Sequence, residues 1–238
     1  MAAGFEKIYS KALGYFIFAI NPFKRVVSKA KGTIHKFINF QALEILKNDG
    51  YVDAYCFFSD YIEEINKGVV WADLDIKSVN HFYNPDKKRG LYGNSNALTL
   101  ATDYYDKAKE HWHRDMLDVS MFYLGAVVHL IQDMTVPHHA NIRLLDSHRQ
   151  YEKYIRRMYL DMPKFLANEG GYYFSEIEEF ITCNARNAIK IYLKFKNVKK
   201  RSGKYYSLAK YTLPLAQKTT AGCFLQFYKD VSKRLPRI

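Results

Sequence analysis

The most apolar stretch of the chain contains residues of a kind that does chemistry. Val119 to Ile131 is interrupted only by Ser120 and Gly125, yet it includes His129 and leads directly to Asp133. Four residues apart, this pair projects from one face of a helix, about a turn from each other. Taking both out of water is unfavourable unless they bond to each other or hold a metal ion. Six residues on comes His139, in Val136-Pro137-His138-His139-Ala140-Asn141, and His148 then opens a second four-residue pair with Glu152. Upstream stand His35, Trp71-Ala72-Asp73 and Asn80-His81-Phe82-Tyr83-Asn84-Pro85. Imidazole and carboxylate are the donors zinc takes when thiolates are lacking, and this many donors exceed one tetrahedral site. They point to a cluster of two or three zinc ions. Cys56, Cys183 and Cys223 are too scattered for a metal knuckle or a disulfide framework and read as small buried residues. His111 and His113 flank Trp112 and read as surface or packing residues, and His138 as pointing away from its neighbour's site.

Helices must position these donors. Ile34, Ile38, Ala42, Ile45 and Leu46 recur at three- and four-residue spacing and predict a helix starting near Thr33 as its N-cap. Further helices are predicted over 97–117, 118–134, 147–166, 175–197 and 206–234, with Gly170-Gly171, Ser202-Gly203 and Pro214 as interruptions. Gly68 to Asn96, with Gly, Pro, Asn and Asp scattered through it, reads as one long irregular segment of the kind that usually carries function. No alternating strand pattern is present. The expected fold class is all-α, a single multi-helix bundle enclosing a multinuclear zinc site.

Composition agrees with one folded domain. The 238 residues are 48% hydrophobic and 25% charged, and only 12 Gly and 6 Pro exclude collagen-like and Pro/Gly-rich disordered classes. The net charge of +12 is unevenly spread: residues 186–238 carry fourteen Lys and Arg against Asp230 alone, and residues 1–36 carry seven against Glu6. Basic ends around an acidic middle suggest a polyanionic partner, an anionic membrane surface or nucleic acid. No run reaches the roughly 18 apolar residues needed to span a bilayer. Lys7 and Lys11 before Ala12 to Ile20, followed by Ser28-Lys29-Ala30, leave open a cleavable secretion signal or an amphipathic helix on a membrane or on the domain itself. The chain is therefore divided into an N-terminal basic and apolar segment, 1–30, and a catalytic domain, 31–238.

Taken together, these phrases resemble the zinc-dependent phospholipases C of Gram-positive bacteria. Thr33-Ile34-His35, Trp71-Ala72-Asp73, His81-Phe82-Tyr83-Asn84-Pro85-Asp86, Phe122-Tyr123-Leu124-Gly125 leading to His129 and Asp133, Pro137-His138-His139-Ala140-Asn141, and His148 with Glu152 follow the family's order and spacing over about residues 33–165. The resemblance implies an all-helical fold with three zinc ions. It assigns Asp73, His81, His129 and Asp133 to the first, His139, His148 and Glu152 to the second, and His35 with Asp133 to the third, so that Asp133 bridges two. Asp73 is implied as general base as well as ligand. The implied reaction is in-line hydrolysis of the glycerol–phosphate bond of a phospholipid, giving diacylglycerol and a phosphorylated headgroup at a membrane surface.

The chain departs from the family at three points. The family completes its third zinc with a mature N-terminal Trp, and Pro22 to Arg25 contain none. Leu74 and Ser78 stand where family aromatics contact choline, so a choline preference is not implied. The calcium-dependent lipid-binding domain that follows in some toxin members is expected to be missing, which leaves membrane contact to the catalytic domain. S1/P1-type single-strand nucleases share the ligand order, and the basic tail would suit nucleic acid. The phrase around His81 is nearer the phospholipase one. A membrane-binding relative without turnover is the remaining alternative.

Overall fold

The computed structural model describes residues 22–74, 80–91, 95–142, 148–159 and 162–232, with side chains described from Gly32 onward apart from Leu74 and His148. The reading of Ala12 to Ile20, and with it most of the segment 1–30, lies outside the described residues. Among those residues the fold is all-helical, as expected, with one isolated antiparallel bridge between Asn84 and Arg89.

Helix α5 (Leu117–Asp133) runs through the centre. Its last ten residues, Leu124 to Asp133, are all buried, so it is enclosed on every side and has no amphipathic stripe. Around it pack α3 (Ile62–Leu74), α4 (Ala97–His113), α8 (Ile177–Phe195) and α9 (Arg201–Ser232), while α1 (Pro22–Asn48) lies against α3 and α9. The short α2 (Val52–Asp60) joins α1 to α3, and α6 (Pro137–Ala140) and α7 (His148–Met158) follow the end of α5. Asn96 caps α4 reciprocally: its side chain accepts from the Leu98 and Thr99 amides, and Thr99 Oγ1 accepts from the Asn96 amide. At the far end of α1, Asp49 accepts hydrogen bonds from the Gly170 and Gly171 amides and the Tyr173 hydroxyl, which fastens the loop before α8.

Four sequence expectations are corrected. The first helix begins at Pro22 and not near Thr33, so Thr33 is an interior residue and not an N-cap. Proline at the first position of a helix is preorganised for it. Gly32 does not break the helix because it sits against α3, where a Cβ would come 2.6 Å from Val70 Cγ2. Residues 68–74 are helical, so Asp73 stands on α3 and not in an irregular segment. Gly68 marks a helix crossing: an added Cβ would lie 1.8 Å from the Phe122 carbonyl oxygen, and one on Gly125 would lie 2.0 Å from that of Ile65. Finally, α9 runs unbroken through Ser202, Gly203 and Pro214, because tertiary packing of its buried face outweighs the local breakers. Of the cysteines only Cys223 is buried, whereas Cys56 is exposed and Cys183 half-buried.

The Gly68–Gly125 contact makes a prediction. Gly125→Ala forces backbone against backbone, so we expect about 3 kcal/mol of destabilisation, a fall of roughly 6–12 °C in melting temperature. A melt displaced by less than about 2 °C would show that α3 and α5 are not so closely packed.

Two apolar clusters divide the work. The larger surrounds α5; the smaller, with Ile38, Tyr151, Ile155, Phe165, Tyr205, Leu208 and Leu213, docks α7 onto α1 and α9. Tyr151, wholly buried, fixes α7 further through a 2.8 Å hydrogen bond between its hydroxyl and that of Thr212. No described helix is long and apolar enough to cross a membrane.

Candidate metal centre

Asp133 is the last residue of α5, at the negative end of that helix's dipole. It is 7% exposed. A buried carboxylate in that position needs positive charge nearby. Four imidazoles supply the surroundings. Oδ2 of Asp133 lies 3.1 Å from His81 Nδ1, 3.2 Å from His129 Nε2 and 4.0 Å from His139 Nε2, and Oδ1 lies 3.7 Å from His35 Nε2.

Each histidine arrives by a different route. His129 is one turn back along α5, and His35 comes from α1, its ring centroid 4.4 Å from that of His129. His81 stands in the segment before α4. There Asn84 accepts from the Asp86 and Lys87 amides and donates to the Ala140 carbonyl, which ties that segment to α6. Pro137 starts α6 after the turn at the end of α5, and the turn brings His139 back to Asp133. Phe82 stacks on His139 at 4.8 Å.

Two tautomers are set by hydrogen bonds. His35 Nδ1 donates to Gln132 Oε1 at 2.7 Å, and His139 Nδ1 donates to the His81 carbonyl at 3.2 Å. Both acceptors are oxygens, so in each ring Nδ1 carries the proton and the Nε2 lone pair faces Asp133. Gln132 is itself held, donating to Asn39 Oδ1 at 2.8 Å and to Thr220 Oγ1 at 3.1 Å, while Asn39 donates to Asn66 at 3.0 Å. Sequence reasoning missed this chain of amides. Its signal was a Gln at the end of the chain's most apolar stretch, immediately before the candidate ligand.

The proton affinities follow. Burial, followed by the neighbouring His129, lowers His35 from its ordinary value despite the opposing pull of Asp133, Asp73 and Gln132. For Asp133 burial acts upward, but His129 and His139, with hydrogen bonds from His129 and His81, outweigh it and hold the carboxyl well below the usual carboxylate range. An ionised carboxylate ringed by imidazoles is a zinc ligand set. One donor atom from each of His35, His129 and Asp133 lies within 4.8 Å of the other two. Tetrahedral zinc with bonds near 2.0–2.1 Å holds its ligand atoms about 3.3 Å apart, close to the 3.2 Å from His129 and the 3.7 Å from His35 found at Asp133. The residues fit the metal.

Three further ligands were expected: Asp73, Glu152 and His148. Asp73 is half-buried near the end of α3 and acts electrostatically on His35. Glu152 is half-buried on α7, next to Tyr151, whose ring centroid is 5.9 Å from that of His138. His148 opens α7, and its side chain lies outside the described set. His138 is buried, and His111 stacks on Tyr123 at 5.4 Å, a packing role.

Gln132→Leu removes the acceptor that orients His35 while keeping the apolar volume. Such outer-shell losses weaken metal binding about 10- to 100-fold. Zinc titration against a competing chelator should show that drop with the helical circular dichroism unchanged, and undiminished affinity would contradict the orienting role.

An all-helical bundle that gathers histidines from four segments around a buried aspartate is the architecture of a helical metalloprotein. Its family can be stated: the sequence model of zinc dependent phospholipase C matches residues 34–218, and the chain belongs to that family. It is 25% identical to a phospholipase C of Clostridium novyi over 87% of this chain, and 27% identical to one of Listeria monocytogenes over 51%. The chain spans 61% of the Clostridium novyi protein's length and 44% of the Listeria monocytogenes protein's. In fold it is similar to the alpha toxin of Clostridium absonum, with a TM-score of 0.74 at 22% identity, covering 86% of this chain and 65% of the toxin.

Proposed function

We propose that this protein is a zinc-dependent phosphodiester hydrolase, a phospholipase C that cleaves glycerophospholipids to diacylglycerol and a phosphorylated headgroup. The observation that supports this most is the convergence of His35, His81, His129 and His139 on one buried carboxylate, Asp133. In this reading residues 31–238 form the catalytic domain, and the ions number two or three. Asp73, His81, His129 and Asp133 hold one, His139, His148 and Glu152 a second, and His35 with Asp133 a third. Zinc, when bound, supplies positive charge against the phosphodiester and lowers the pKa of a water.

The chain's own residues do the rest. The carboxylate of Asp73 takes a proton from the attacking water as the water oxygen bonds to phosphorus. The phosphorus–oxygen bond to glycerol breaks, and the proton that Asp73 accepted passes, directly or through water, to the glycerol oxygen, which leaves as the hydroxyl of diacylglycerol. The tautomers held by Gln132 and the His81 carbonyl keep the two Nε2 lone pairs directed at the centre throughout. Leu74 ends α3 and Ser78 falls outside the described residues, and neither brings an aromatic face to a quaternary ammonium. The substrate is therefore a glycerophospholipid chosen without a choline cage.

Incubation with mixed glycerophospholipid vesicles tests the reading. Release of diacylglycerol and phosphorylated headgroups is expected. Cleavage of single-stranded DNA or RNA without lipid turnover would establish the nuclease alternative instead.

A further inference from the structure

The corner where α8 passes into α9 has a composition found nowhere else in the chain. Residues 186–210 include nine Lys and Arg and no Asp or Glu. Lys190, Lys194, Lys196, Lys199, Lys200 and Arg201 are exposed there. Apolar side chains are exposed among them: Leu193 at 53%, Tyr211 at 39% and Val198 at 36%. The lysines lie over the neighbouring rings, Lys194 Nζ being 5.0 Å from the Tyr211 centroid and Lys204 Nζ 5.0 Å from that of Tyr192.

This surface adjoins the proposed site. Arg201 donates to Gln150 Oε1 at 2.8 Å, and Tyr205 packs on Tyr151 at 5.6 Å, so the start of α9 is seated on α7. The outer face of α7 continues the pattern, with Arg149, Lys153 and Arg157 exposed at four-residue spacing opposite buried Tyr151 and Ile155. The same helix carries His148 and Glu152.

We infer that the α8–α9 corner, extended by the outer face of α7, is a docking surface for an anionic phospholipid bilayer, which seats the site against its substrate. This builds on the hydrolase reading above. Charge complementarity names the partner. Basic residues beside an anionic leaflet each strengthen binding, and aliphatic and tyrosine side chains between them suit the boundary of headgroups and acyl chains. A single strand of nucleic acid binds through open aromatic faces on which bases stack. Here lysines from the same surface cover those of Tyr192 and Tyr211.

Sedimentation with vesicles of equal phosphatidylglycerol and phosphatidylcholine, and of phosphatidylcholine alone, tests this on the full chain. The expected result is binding to the anionic vesicles that weakens at least about tenfold in the variant Lys194→Ser, Lys196→Ser, Lys199→Ser, Lys200→Ser and that falls steeply with added salt. Leu193→Ser with Val198→Ser should weaken what binding survives high salt. All six side chains are exposed, so an unchanged helical signal is expected as the control. Equal binding by wild type and the four-lysine variant overturns the inference, and so does binding of single-stranded RNA without binding of vesicles. Charge-dependent vesicle binding without lipid hydrolysis supports the docking surface and overturns only the hydrolase reading.

Discussion

Asp133→Asn should lower hydrolysis by about a thousandfold or more and strip the protein of zinc at the same time. The substitution is nearly isosteric, so the helices around α5 keep their packing and the far-ultraviolet circular dichroism stays as it was. What changes is charge at the one point where four imidazoles meet. An amide offers one neutral oxygen where the carboxylate offered two charged ones, so the negative charge that would draw a cation in among the imidazoles is gone. Steady-state kinetics with elemental analysis of the same sample checks this. A variant that keeps both zinc and turnover would show that Asp133 is only a structural partner of His129.

Asp73→Asn should separate catalysis from metal holding. Loss of a general base removes about 10²- to 10⁴-fold of rate, and the loss should appear in kcat more than in KM. Zinc should be retained better than in Asp133→Asn, because Asp73 sits at the edge of the cluster, half-buried near the end of α3, while Asp133 is its hub. Wild-type kcat in this variant would remove Asp73 from the reaction. Complete loss of zinc would leave Asp73 the role of ligand alone and give the base to another residue.

Which parts of this were legible in the sequence follows from physics. The i, i+4 pair His129 and Asp133 was readable because two polar groups in an apolar helix demand compensation wherever the helix goes. His81 and His139 were readable because their phrases carry the local structure that presents them: an Asx turn at Asn84 and a helix start at Pro137. The helix containing Asp73 was not readable, because Gly68 looks like punctuation in one dimension and is a point of helix contact in three. Pro214 and Gly203 misled in the same way, since burial along α9 overrides their propensity. Gln132 stood out as a polar residue at the end of an apolar stretch, but what it orients could not be read. Its partners His35, Asn39 and Thr220 lie 97, 93 and 88 residues away, and no local pattern connects them.

The most direct test of the central claim is the zinc content of the purified full-length protein by elemental analysis, read beside headgroup release before chelation, after it, and after zinc is returned. Two or three zinc ions per chain, with release lost on chelation and recovered with zinc, is the result this account predicts. A protein that holds no zinc, or that releases headgroups equally well after chelation, would contradict it.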